Sequence, residues 1–232
     1  MNKYWAVVPA AGVGKRMQAD RPKQYLSLNG QTILEHTLQS LIQYEPIQAV
    51  IVATSDEDEY WSSLGINTHE KIKRVSGGTE RCYSVLNGLE YLIETADKDD
   101  WVLVHDAARP CLHHSDLDKL LTYLSCQKIG GLLGVPVTDT IKQCNDNRQV
   151  EKTVDRRHLW RALTPQMFRL GLLYEALSEA LENGYEVTDE ASAIEYAGHR
   201  PIMVEGQSDN IKITRPEDLP LAELILNRTQ GE

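Results

Sequence analysis

The segment Ala6-Val-Val-Pro-Ala-Ala-Gly-Val-Gly-Lys-Arg-Met17, with Pro22-Lys23 just beyond it, carries the residue types that a polyphosphate site requires. An apolar run at 5–8 gives way to Pro9, Ala10, Ala11, Gly12 and Gly14. Such small residues let the backbone approach a ligand and turn N–H groups toward phosphate oxygens. Lys15, Arg16 and Lys23 add positive charge, and Pro22 fixes the backbone ahead of Lys23. Glycine spacing alone fits an ordinary strand-to-helix turn equally well; the cations favour binding of a nucleoside triphosphate. Two commoner glycine loops do not fit. Met17 stands where G-x-G-x-x-G needs its third glycine, against a dinucleotide-binding oxidoreductase, and no G-x-x-x-x-G-K-[ST] string occurs.

The elements that must position this loop are legible as alternating patterns. Unbroken apolar runs at 5–8, 49–53 and 101–104 read as strands buried on both faces, as in a parallel sheet covered by helices. Between and after them, helical stripes are formed by Ile33, Leu34, Leu38, Leu41 and Ile42, and by Val85, Leu86, Leu89, Leu92 and Ile93. Leu117, Leu120, Leu121 and Leu124 form a third stripe, and Leu173, Leu177 and Leu181 a fourth. The expected fold is α/β, a Rossmann-like doubly wound, mainly parallel sheet with ligands beyond the carboxyl ends of its strands. The small-residue loop and His105-Asp106 both fall at such ends. Asp106 there offers a hard oxygen suited to a magnesium ion shared with a triphosphate; a turn or helix cap is its bland alternative.

Residues 137–155 differ from the rest. Short polar, β-branched runs on either side of Asn145-Asp-Asn147 read as a β-hairpin turning near Asp146. A lone hairpin is marginal in water, so this arm is expected to lie on a second copy of the chain. The organisation expected is one domain, 1–232, with 137–155 as a projecting dimerisation arm.

Further strings strengthen the reading: Val104-His-Asp-Ala-Ala-Arg-Pro110, Thr153-Val-Asp-Arg156, Ala162-Leu-Thr-Pro-Gln166, Thr188-Asp-Glu-Ala191 and Asp209-Asn-Ile-Lys212. Together with Pro-Ala-Ala-Gly-x-Gly-x-Arg-Met and Pro-Lys-Gln-Tyr, they resemble the sugar-phosphate nucleotidyltransferases, and within them the 2-C-methyl-D-erythritol 4-phosphate cytidylyltransferases. The resemblance spans about residues 6–216. It implies transfer of CMP from CTP to a sugar-alcohol phosphate in isoprenoid precursor synthesis, with Mg2+ as cofactor and a homodimer as the assembly. Pro9, Ala10, Ala11, Gly12, Gly14, Asp106 and Ala107 are implied to hold the nucleotide, with Arg16 and Lys23 on the triphosphate. Backbone near Gly78 and Thr79 is implied to read the cytosine edge, and Ser84 to add a hydroxyl. Thr79 stands where the best-known members carry Asp, so base choice follows less directly than reaction type; as a helix cap, Thr79 would have no such role.

Arg109, Thr140, Arg156, Thr188 and Lys212 are implied on the acceptor side. Arg156, just past the arm, is expected to reach the partner's site. Arg16, Lys23, Arg156 and Lys212 form the implied catalytic set, Asp106 the implied metal ligand, and Asp209 a weaker second one. Thr188 reads as a helix N-cap, favourable for an anion, with Asp189 and Glu190 obliged to point away. His105 reads as a packing residue, because a phosphate monoester needs no base near neutral pH. Alternatives are a ribitol 5-phosphate cytidylyltransferase and a non-catalytic nucleotide sensor.

Bulk properties agree. The 232 residues carry 34 acids against 24 bases, a net charge of −10, which argues against nucleic-acid or anionic-membrane binding. Cys82, Cys111, Cys126 and Cys144 lie at neither zinc nor C-x-x-C spacing and read as incidental reduced thiols. With no leader and no long apolar run, the expected location is the cytoplasm.

Overall fold

The computed structural model describes residues 2–12 and 20–229. Strands β1 (Tyr4–Pro9), β4 (Ile47–Thr54), β5 (Ile72–Ser76), β6 (Trp101–Val104), β7 (Gly130–Pro136), β10 (Trp160–Arg169) and β11 (Ile202–Glu205) form a seven-stranded sheet in the order β11-β7-β10-β6-β1-β4-β5. All neighbouring pairs are parallel except those of β10, which runs antiparallel to β6 and β7. The mainly parallel α/β sheet expected from the apolar runs is therefore present.

Strand periodicity divides the core. Along β1, Ala6 and Val8 face one layer and Val7 the other, all inaccessible to solvent. The first layer meets Leu34, Leu38 and Leu41 of α1 (Ile33–Ile42) and Leu117, Leu120 and Leu124 of α3 (His114–Leu124). The second meets Val85, Leu89 and Leu92 of α2 (Arg81–Thr95) and Leu170, Leu173 and Leu177 of α4 (Leu170–Glu182). Each large aliphatic side chain so buried contributes about 1.5–3 kcal/mol, which is why the stripes read from sequence become the packed faces. Helix α1 starts where Thr32 and Glu35 close a capping box, satisfying backbone donors at its first turn.

A third cluster packs α6 (Asp218–Thr229) through Ala222 and Ile225 against Leu28, Ile33, Ala108, Cys111 and Ile213. Leu28 belongs to the short pair β2 (Ser27–Leu28) and β3 (Gln31–Thr32). This cluster clamps the segment after β11 beneath the loop after β6, so Lys212 is carried on a packed support.

The arm is an independent two-stranded antiparallel sheet, β8 (Ile141–Cys144) and β9 (Val150–Val154). Its turn is closed by Asn145, whose side-chain oxygen accepts from the N–H groups of Asn147 and Gln149. The structure moves its lower boundary: Val137 N–H donates to Leu159 O at 2.9 Å, prolonging the β7–β10 pairing, so the hairpin proper starts at Ile141. No described helix is long and apolar enough to cross a membrane.

Candidate active site

Three parallel strands end at one cleft. Beyond β1 lie Ala10, Ala11 and Gly12; beyond β5, Gly78 to Arg81; beyond β6, Asp106 to Ala108; and Lys23, Gln24 and Lys212 complete the lining with Pro9 and Ser84. The walls approach closely because one residue has no side chain: a Cβ on Gly77 would sit 2.4 Å from that of Ala11. Gln24 Nε2 donates to the carbonyls of Ala10 at 2.6 Å and Gly12 at 3.1 Å, holding those oxygens where they cannot repel a phosphate.

Asp106 is the electrostatic centre. Its Oδ1 accepts from Arg81 Nε at 3.0 Å, and its Oδ2 meets Lys212 Nζ at 3.0 Å and Arg109 Nε at 3.3 Å. Burial alone would push this carboxyl up, but Arg81, Lys212 and Arg109 together outweigh it and hold it well below the usual carboxylate range. Burial likewise pulls Arg81 down, yet the carboxylates of Glu190 and Asp106 more than offset it and raise it above its ordinary value. Lys23 lies in a 3-10 turn, Lys23–Tyr25, and its Nζ donates to Ile213 O at 3.0 Å. It is half-buried rather than in a solvent-facing loop, and it joins the β1 side of the cleft to the Lys212 segment.

Beneath Asp106, Thr164 of β10 accepts from Asp106 N–H at 3.0 Å and pairs with His105 Nδ1 at 3.0 Å. His105 Nε2 faces the Arg109 carbonyl at 3.1 Å; a carbonyl only accepts, so Nε2 carries the proton and the Thr164 hydroxyl donates to Nδ1. Full burial, more than anything else, lowers His105 to about 4 from 6.5, although Asp106 opposes the shift. A histidine depressed in the folded chain takes its proton first when the chain unfolds. Stability should accordingly fall as pH drops through that window, by about 1.4 kcal/mol per unit and about 3 kcal/mol in all. Urea midpoints from about pH 7 to about pH 4.5 should decline more steeply for the parent than for His105→Gln; parallel declines would remove His105 from the account.

The cleft gathers Pro9, Ala10, Ala11, Gly12, Lys23, Gly78, Thr79, Ser84, Asp106, Ala107 and Lys212 from the sequence-derived set. Gly14 and Arg16 lie outside the described residues. Four others depart from expectation. Arg109 is 8% exposed and turned inward, donating to Asn210 O at 2.7 Å as well as pairing with Asp106, so it supports Asp106 rather than facing a second substrate. Thr188 is not the cap of α5 (Glu190–Tyr196); Asp189 is, its carboxylate accepting from Ser192 N–H. Thr140 is exposed at the base of the arm and does not line the cleft; Arg156 is exposed there too, outside its own chain's cleft, and the expectation for it concerned the partner's. Asp209 pairs with His113 at 3.2 Å and lines a separate cleft, away from Asp106. Thr79 is not a cap either, since Glu80 occupies that position. Ser84 Oγ accepts from Gly78 N–H at 3.0 Å and donates to Glu80 O at 3.2 Å, shaping the loop from within.

Sequence reasoning assigned no role to Arg81, Glu190 or Gln24. Each lay inside a motif already singled out, next to residues that did receive one.

A parallel sheet whose carboxyl edge holds a small-residue loop, two lysines and one buried carboxylate tied to three cations defines a nucleotidyltransferase site. The family model described as IspD, 2-C-methyl-D-erythritol 4-phosphate cytidylyltransferase, matches residues 4–228, and the chain belongs to that family. It is 54% identical over 228 residues to the enzyme of that name from Vibrio vulnificus (strain CMCP6), covering 98% of this chain and 96% of the relative. It is 56% identical over 217 residues to that from Pseudomonas entomophila (strain L48), covering 93% and 92%. Among solved structures, the Francisella tularensis 2-C-methyl-D-erythritol 4-phosphate cytidylyltransferase superposes with a TM-score of 0.85 at 39% identity, over 97% of this chain and all of that one.

Proposed function

We propose that this chain transfers CMP from CTP to 2-C-methyl-D-erythritol 4-phosphate, releasing pyrophosphate, in isoprenoid precursor synthesis. The observation that carries the reading is the Asp106 cluster at the floor of a small-residue cleft, with Lys23 and Lys212 beside it. An oxygen of the acceptor phosphate attacks the α-phosphorus of CTP, and the bond from that phosphorus to the bridging oxygen of pyrophosphate breaks. The nucleophile arrives ionised, so no side chain has to remove a proton. What the protein supplies is alignment of two mutually repelling anions and fixed positive charge where the transition state gathers negative charge. Lys23 serves the triphosphate, a role the motif also gives Arg16; Lys212, anchored by Asp106, serves the acceptor phosphate.

Magnesium fits this donor set. A carboxylate has about four lone-pair positions, and three on Asp106 are already engaged. Among the described residues no group of three His, Cys, Asp or Glu could hold a metal alone. One carboxylate with phosphate oxygens for the remainder is the mode magnesium favours. When bound, the ion supplies neutralisation of phosphate charge. The test is pyrophosphate release over a matrix of CTP and other triphosphates against the methylerythritol and ribitol phosphates. Release only with CTP and the methylerythritol phosphate is expected; release with ribitol 5-phosphate alone would reassign the acceptor, and none at all would remove the enzyme reading.

The active form is a homodimer. Support comes from the arm, an isolated hairpin with Val150 59% exposed, and from Arg156, exposed at its base and donating to Thr138 O instead of lining its own cleft. Arg156→Ala and Lys23→Ala subunits, each inactive alone, should regain activity after exchange: one site of a mixed dimer then carries both defects and the other neither. Silence despite exchange confirmed by mass would place Arg156 in its own chain's site.

A further inference from the structure

Glu190 is a buried charge beside the cleft that the reaction above does not use. Its side chain is 1% exposed and receives Arg81 through two bonds, Nη1 to Oε1 at 2.6 Å and Nη2 to Oε2 at 3.0 Å. The same guanidinium reaches Asp106 through Nε, so one arginine spans two carboxylates. Glu190 is itself firmly placed. It is the first residue of α5, whose start is tied to β10: Gln166 Nε2 donates to Asp189 at 2.9 Å, and Gln166 Oε1 accepts from Ala191 N–H at 2.7 Å.

Arg81, by contrast, has a 29% exposed side chain and lines the cleft. A guanidinium there is a strong bidentate ligand for phosphate. Arg81, Arg109 and Lys212 face two carboxylates, Asp106 and Glu190, a formal excess of one positive charge. Without Glu190 the excess becomes two, and two of Arg81's donors lose their partner.

We propose that Glu190 is a positioning residue that holds Arg81 away from the polyphosphate, so that the cleft binds CTP without retaining pyrophosphate. This rests on the nucleotidyl-transfer reading above. Arg81 held by Glu190 acts as a support for Asp106; released, it becomes an extra phosphate ligand that binds substrate and product equally. Uniform binding of that kind does not speed the chemical step, and it slows product release, which often limits turnover.

The test measures pyrophosphate and CTP affinity by calorimetry alongside kcat. Glu190→Gln should bind pyrophosphate about tenfold more tightly, the worth of one charge-assisted hydrogen bond, while kcat falls by a similar factor. Glu190→Asp keeps the charge and should restore most of both. A merely structural role predicts the opposite sign, weaker binding. Because a variant with an unpaired buried charge can fail to fold, Arg81→Gln is compared with the Arg81→Gln/Glu190→Gln double variant, which removes both charges together. If Glu190 acts only through Arg81, these two should agree within about threefold in affinity and kcat. Tighter pyrophosphate binding in Glu190→Gln together with that agreement supports the inference; unchanged or weaker binding, or a wider gap, overturns it. A parent that releases pyrophosphate from CTP while Glu190→Gln binds no tighter sinks this inference alone. A parent inactive with CTP sinks the function as well.

Discussion

Lys23→Ala should lower turnover by about 10²–10³, the range expected when one preorganised transition-state donor is removed. Lys23 is placed by a turn whose next two residues are buried, Gln24 against the Ala10 and Gly12 carbonyls and Tyr25 through its hydroxyl on Asp58 at 2.6 Å. Those anchors remain when the amine is deleted, so the backbone path should persist. The amine also bonds Ile213 O, and losing that part-buried bond should cost about 1 kcal/mol. The measurement is kcat for pyrophosphate release beside a thermal unfolding curve. A large drop in kcat with a shift of only a few degrees supports the role; near-normal turnover in a folded variant would falsify it. Arg16→Ala should lose a comparable factor on the strength of the motif.

The fold was legible where burial on both faces leaves an unambiguous apolar run, as in β1, β4 and β6. β10 was not. Pro165 interrupts it, and a proline argues against a central strand; the register breaks between Ala162 and Gln166, which admits the proline between β6 and β7. β7 was hidden by its composition, because Gly130, Gly131 and Gly134 supply close packing in place of β-branched side chains. In the site, loop residues were legible because small residues and cations beside one another have few other uses. The Arg81–Glu190 pair was not, since the partners lie 109 positions apart and nothing local distinguishes Glu190 from a solvated acid. Asp189 and Glu190 looked like charges that would repel a phosphate. The fold resolves that conflict by committing Asp189 to a helix cap and Glu190 to Arg81.

Asp106→Asn should damage both stability and catalysis, for separable reasons. The substitution preserves volume but removes the charge against which Arg81, Arg109 and Lys212 are balanced. Asp106 and Arg109 have side chains only 8% and 10% exposed, so water cannot compensate, and breaking such a buried pair costs about 3–5 kcal/mol. Because Asp106 is depressed below its ordinary 3.8, its stabilisation is complete at neutral pH and is lost only as pH falls below that value. The deficit should therefore be fully visible at about pH 7, as a lower urea midpoint with an unchanged slope. Catalysis should fall by at least about 10²-fold, because Lys212 loses its anchor and the magnesium proposed above would lose its carboxylate ligand. The half-saturating magnesium concentration should rise, with apparent CTP binding affected less. A lower urea midpoint with superimposable magnesium curves would make Asp106 a purely structural anchor, and an unchanged midpoint would refute the charge balance on which the site is built.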